Sequence, residues 1–211
     1  MENLVSLRSL FLDYMMVNTN KEVQKGGHVF GAVIIKKQKP TVSLSATSFQ
    51  EDVPLFELLA AGTNRRHLNP LWHGEVDTIN RHYLNLNENK YKIESDDELY
   101  MIASHQPCLM CTYSLSWVPN LTNVYYLFDY DETNEMFDMP TDIDQWNMYM
   151  NGMSYTGPYK ILGESNKFRT FSKLAISKLL KAELAFEYLK MFEIVKKVER
   201  GDLDGKELLT I

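Results

Sequence analysis

The chain has 211 residues, 45% of them hydrophobic, and a formal net charge of −6. That is apolar material for one sizeable core, so residues 1–211 are read as a single domain. An acidic balance argues against broad nucleic-acid affinity, which requires many Lys and Arg set against phosphates. Only two cysteines are present, Cys108 and Cys111, too few for a disulfide framework, and a reducing cytoplasm is the expected compartment. Glu2, Arg8 and Asp13 interrupt the apolar run that a signal peptide would need, and no stretch is long enough to span a bilayer.

Leu4, Leu7, Leu10, Phe11, Tyr14 and Met15 recur at helical spacing, which predicts a first amphipathic helix ending near Asn18. Gly26-Gly27 punctuates the chain. Val29 to Lys37 and Thr41 to Phe49 are rich in β-formers and predict two strands joined across Lys39-Pro40, whereas Pro54 to Trp72 shows a mixed pattern. Asn69-Pro70 marks a boundary, and Val76, Ile79 and Tyr83 then follow at helical intervals, placing His73 and Glu75 in the first turn of a helix. Residues 85–98 read as a polar loop. Leu99 to Ser104 predicts a strand, Pro107 the start of another helix, and Val124 to Phe128 a further strand. The acidic stretch Asp129 to Asp144 is turn-prone with room for short helices, and a wide apolar stripe from Phe171 to Arg200 predicts a long C-terminal helix stopped by Gly201. Strands alternating with helices give an α/β layered domain with helices on both faces.

The chemistry concentrates in His73-Gly74-Glu75 and Pro107-Cys108-Leu109-Met110-Cys111. A His-x-Glu followed by Pro-Cys-x-x-Cys is the spacing of zinc-dependent base deaminases, where three side chains hold the ion and the Glu moves protons. One His and two Cys leave one position of a tetrahedral zinc open, as catalysis requires. Water held there is acidified, and Glu75 follows His73 closely enough to reach it. A redox reading of Cys-x-x-Cys would leave His-x-Glu unexplained. A structural zinc with His82 or His105 as fourth ligand is a second reading. His82 lies about two and a half helical turns beyond His73 and so points elsewhere, while His105 stays open. His28 and His67 read as ordinary polar residues.

These residues resemble the cytidine deaminase-like superfamily of zinc-dependent deaminases, over roughly Gly26 to Tyr130. Gly26-Gly27-His28-Val29-Phe30-Gly31-Ala32-Val33-Ile34-Ile35 looks like the family's first-strand motif, in which Pro-Phe-Gly-Ala-Val is usual, with Val29 where Pro is common. Asn69-Pro70-Leu71-Trp72-His73-Gly74-Glu75-Val76 resembles Asp-Pro-Thr-Ala-His-Ala-Glu-Val, with Asn69 and Trp72 as departures that would reshape the pocket rim. The resemblance implies a three-layer α/β/α fold with a central five-stranded mixed sheet. It implies zinc on His73, Cys108 and Cys111, Glu75 as proton shuttle, and a homodimer. For substrate contacts it implies Asn64, Phe30, Ala32, Gly74 and Trp117. Trp117, six residues after Cys111, is similar in placement to a Trp of guanine deaminases, although a core role explains it equally well. Gln106 replaces the Glu common before Pro-Cys.

The implied function is zinc-dependent hydrolytic deamination of a free nucleobase or nucleoside, guanine ahead of cytosine and cytidine. Two alternatives remain. One is a deaminase of tRNA or another nucleic acid, for which Lys167, Arg169, Lys173, Lys178 and Lys181 would have to form a basic strip. The other is a catalytically silent deaminase-like subunit, which would have no need of Glu75. From Met136 onward the chain has no counterpart in the resemblance; Trp146, Tyr149, Tyr155, Tyr159 and Phe168 could close over a pocket or simply pack.

Overall fold

The computed structural model describes residues 4–37, 56–150, 159–162 and 168–202. The strand expected at Thr41 to Phe49, together with Tyr155 and Lys167, lies outside them. Strand β1 (Leu4–Val5) leads into a continuous helical run of α1 (Leu7–Ser9), a π-helical segment (Leu10–Met16) and α2 (Val17–Val23). Then come β2 (Gly31–Lys37), β3 (Phe56–Thr63), α3 (Gly74–Asn87), β4 (Leu99–His105), α4 (Leu109–Ser116) and β5 (Leu121–Phe128). The chain continues through α5 (Tyr130–Phe137), α6 (Thr141–Tyr149), β6 (Tyr159–Leu162), β7 (Phe168–Lys173) and α7 (Lys178–Arg200).

The strands form one mixed sheet in the order β1-β3-β2-β4-β5-β7-β6. Pairs β4–β5 and β5–β7 run parallel; the remaining neighbours are antiparallel. Five strands, β3-β2-β4-β5-β7, make the expected centre. The two-residue β1 and the β6 hairpin arm extend it to seven at the edges.

Alternation along the central strands sends successive side chains to opposite faces. Val33 and Ile35 of β2, Tyr100 and Ile102 of β4, and Tyr125 and Leu127 of β5 enter one core with Leu7, Phe11 and Met15 of the first helical run and Leu184, Tyr188 and Val195 of α7. Ala32, Ile34, Met101, Ala103, Val124 and Tyr126 enter the other, with Leu115 of α4 and Trp146 of α6. The result is three layers, α/β/α.

Several boundaries differ from the sequence expectation. The first helix runs on to Val23 rather than stopping near Asn18. The stretch from Phe56 to Thr63 is a strand despite Glu57, Ala60, Ala61 and Gly62, because it pairs along its whole length with β2. The long C-terminal helix begins at Lys178, not Phe171: Phe171 is buried in β7 beside Val124, and Ser177 caps the helix by accepting the Leu180 N–H at 3.1 Å. Gly201, with φ 73°, ends it. Among the described residues no helix is long and apolar enough to cross a membrane.

The α7 stripe gives a direct check on this packing. Leu184 is fully buried and Leu179 is 81% exposed on the same helix. Leu184→Ala is expected to lower unfolding stability by roughly 2–5 kcal/mol and Leu179→Ala by less than about 0.5 kcal/mol, measured by urea titration.

Candidate active site

Two helices start at the same place. His73 is the N-cap of α3 and Cys108 the N-cap of α4, and both have extended backbones (φ −68°, ψ 163° and φ −62°, ψ 169°). Neither side chain bonds its own helix end, so both are free to point at a shared target. Cys111 sits one turn into α4, on the face that carries Cys108. The ligand atoms of His73, Cys108 and Cys111 all lie within 4.8 Å of one another. Neither His82 nor His105 belongs to that group. The His82 ring lies 2.7 Å from the Tyr91 hydroxyl through Nδ1, and His105 packs among Phe30, Phe128, Phe137 and Tyr188.

The donor set fits zinc. A tetrahedral ion bound to one imidazole and two thiolates holds its nitrogen and sulfur donors roughly 3.6 Å apart. Cys108 Sγ and His73 Nδ1 are 3.5 Å apart. Hydrogen bonding to Cys111, reinforced by His73 against the effect of burial, lowers the Cys108 thiol to about 4. Burial holds the Cys111 thiol well above its usual value. The bond to Cys108 raises His73.

Glu75, one turn-position inside α3, is buried beside the ligands. Burial, with the charge on Cys108, raises its carboxyl to about 7. Gly74 between the two allows this arrangement: a Cβ there would stand 2.8 Å from the Phe30 carbonyl oxygen and 3.1 Å from Gly31 Cα. The helix start can therefore lie directly against the beginning of β2.

Asn64 follows β3 and is 3% exposed. Its Oδ1 accepts the backbone N–H of His28 at 3.2 Å and of Arg66 at 3.1 Å, which fixes the amide orientation. The side-chain NH2 is the part left to donate. Phe30, half-buried, stacks on His28 with ring centroids 4.6 Å apart and meets His105 edge-on. Val29 stands in place of the usual Pro, and its N–H donates to His28 Nδ1 at 3.0 Å, a bond Pro could not make.

Other expected contacts fall elsewhere. Ala32 is fully buried in the sheet beneath α3, where its carbonyl accepts from Thr78 Oγ1 at 3.0 Å. Trp117 is not in the core: it is 69% exposed at the C-terminal end of α4, six residues beyond Cys111 and so roughly 9 Å along the axis. The basic strip does not form among the described residues. Arg169 is buried and donates to the Val118 carbonyl, Lys173 pairs with Asp129 and Glu132, and Lys181 pairs with Glu132.

Two residues near the cysteines, Tyr130 and Asp142, were not singled out by the sequence, and Tyr159 was expected there only as an aromatic that closes a pocket or packs. The Tyr130 hydroxyl donates to the Pro107 carbonyl at 2.6 Å, bracing the turn into α4. Tyr159 packs on Trp146 and Phe171, its hydroxyl 3.5 Å from Thr112 Oγ1. Asp142, in the first turn of α6, is raised to about 6 by burial and by the charge on Cys108. These aromatics serve as packing for the second core. Nothing in the acidic stretch distinguished Asp142 from its neighbours, since only the path of α6 brings it here.

His28 yields a pH prediction. Burial, then the charges of Arg66 and His73, lower it to about 3, and its Nδ1 already accepts a hydrogen bond. The unfolded chain therefore takes up a proton near pH 6.5 that the folded chain refuses, and stability falls as the pH drops from there toward 3. Urea midpoints measured between pH 7 and 4.5 should decline, and less steeply in His28→Phe; an unchanged slope would remove His28 from the account.

No family model matches this chain, and no curated protein does. Solved structures do. The structure of NE0047 in complex with 2,6-diaminopurine matches with a TM-score of 0.53 at 16% identity, over 92% of this chain and 85% of that one. A structure of guanine deaminase from Nitrosomonas europaea matches with a TM-score of 0.52 at 15% identity, over 92% and 88%. A mutant of NE0047 in complex with 8-azaguanine gives a TM-score of 0.51 at 14% identity, over 90% and 87%. With three layers around a mixed sheet and these neighbours, the chain has the cytidine deaminase-like fold.

Proposed function

We propose that this protein is a zinc-dependent aminohydrolase that removes an exocyclic amino group from a free nucleobase or nucleoside, with guanine first and cytosine or cytidine next. One observation carries the reading: a buried carboxylate, Glu75, shares the start of α3 with His73, where His73, Cys108 and Cys111 cluster. A structural metal site has no use for such a group, which also argues against a silent subunit.

His73, Cys108 and Cys111 would hold the ion. Bound there, zinc supplies Lewis acidity and an acidified water. Glu75, with its carboxyl raised to about 7 by burial, is suited both to accept a proton and to return it. Its role is to take the water proton, pass it to the ring nitrogen next to the reacting carbon, and later protonate the departing amine. The balance is one water consumed and one ammonia released, with an oxygen left where the amino group stood. Asn64 would orient the ring by donating its NH2 to a carbonyl or ring-nitrogen acceptor, which guanine and cytosine both offer. Phe30, at the edge of the His28–His105 aromatic cluster, would wall the pocket. The Nitrosomonas europaea guanine deaminase among the fold neighbours supports guanine as first choice. Pairing of Lys173 and Lys181 with carboxylates weakens the nucleic-acid alternative.

A homodimer belongs to the same proposal. Tyr113 and Trp117 on α4 and Met148 and Tyr149 on α6 are exposed apolar side chains on adjoining helices, as a subunit contact would use. Sedimentation should return twice the 24.6 kDa chain mass; a strictly monomeric protein would remove this part.

Purified protein should contain one zinc per chain and release ammonia from guanine. Glu75→Gln should keep the zinc while lowering ammonia release by about 10²-fold or more. Undiminished turnover in that variant would mean that another group moves the proton.

A further inference from the structure

The segment between β3 and the first metal-ligand candidate is stitched down residue by residue. Thr63 N–H donates to Asp77 Oδ2 at 3.1 Å, Asn64 N–H to the Phe30 carbonyl at 2.7 Å, and Arg65 N–H to the Trp72 carbonyl at 2.8 Å. Three consecutive amides thus bind three different parts of the fold. Asp77 is the only one of these acceptors that is a side chain. It is 4% exposed, on α3 two residues beyond Glu75.

Asp77 holds Asn64 from both sides. On one, it takes the Thr63 amide. On the other, its Oδ1 lies 3.8 Å from Arg65 Nη1, while Glu22 Oε2 lies 3.4 Å from Arg65 Nε. The guanidinium also sits over the Trp72 ring, 5.9 Å from its centroid, next to His73. Arg81 Nε donates to Asp77 Oδ2 at 2.7 Å, so the buried carboxylate faces two guanidinium groups. Its side chain is directed at the strand end and is not among the clustered ligands.

We infer that Asp77 is a positioning residue for substrate recognition, setting the distance from Asn64 to the first turn of α3 and acting through Asn64 rather than through the metal centre. This rests on the reading of Asn64 as a base-binding amide. A misplacement of an orienting group by about 1 Å is costly to the bound geometry, and a carboxylate clamping both neighbours of Asn64 limits that movement.

A double-mutant cycle on zinc-loaded protein tests it, with 8-azaguanine binding measured by calorimetry. Asp77→Ala should weaken binding about tenfold, the scale of one lost hydrogen bond. In an Asn64→Ala background the same substitution should cost nothing further, and every variant should keep one zinc per chain. Asp77→Asn keeps an acceptor for the Thr63 amide but loses the charge facing Arg65. It should give a smaller loss that likewise vanishes without Asn64, and it serves if the alanine variant does not fold. An equal loss in both backgrounds, or loss of zinc, overturns the inference by making Asp77 a support of the helix or the fold. If the wild-type protein binds neither 8-azaguanine nor guanine nor cytosine, the deaminase reading fails and takes this inference with it; wild-type binding with additive losses sinks Asp77 alone.

Discussion

The arrangement depends on two helix N-termini converging on one point. The starts of α3 and α4 both present unpaired backbone N–H groups and the positive end of a helix dipole, so bringing them together is unfavourable unless negative charge stands between them. The Cys108 thiol, lowered to about 4 by hydrogen bonding to Cys111 and His73, is placed to supply it. Because His73 and Cys108 occupy N-cap positions in the same extended conformation, their side chains leave the helix ends and meet at 3.5 Å. A cation with affinity for sulfur and nitrogen, as proposed above, would be held by that negative charge together with the His73 nitrogen. The same geometry buries Glu75 beside the cluster and raises it toward neutrality.

The sheet makes that convergence possible. Strands β4 and β5 are parallel, and β4 delivers Gln106-Pro107-Cys108 directly from its C-terminal end into α4. Antiparallel β2 and β3 bring Phe30 and Asn64 to the same end, where the Asn64 N–H bonds the Phe30 carbonyl. Helix α3 can then lie close on the strands because Gly62 and Gly74 lack side chains. A Cβ on Gly62 would fall 2.4 Å from the Thr78 backbone nitrogen. Ion pairs around Glu22, Arg65 and Asp77 fasten the connecting segment.

Much of this was legible in the residues, and the parts that were not have physical reasons. Strands β2, β4 and β5 carry continuous β-forming runs, and the metal-ligand spacing is specific to its chemistry, so both were readable directly. Strand β3 was not, because Ala60, Ala61 and Gly62 have little β-propensity and only pairing with β2 makes them extended. Phe171 read as helix because its apolar neighbours continue the α7 stripe; parallel pairing with β5 overrides that local pattern. Trp117 looked like pocket or core from its offset alone, yet the end of α4 turns it to the surface. Asp142 reaches the cluster only through the tertiary path of α6, which no local spacing encodes.

Zinc K-edge X-ray absorption of the purified protein is the most direct test of the converging helix ends. The expected shell is two sulfurs at about 2.3 Å, one imidazole nitrogen at about 2.0–2.1 Å and one further light atom that exchanges with added ligand. A shell containing a second imidazole and no exchangeable atom would mark a closed structural site and contradict the account.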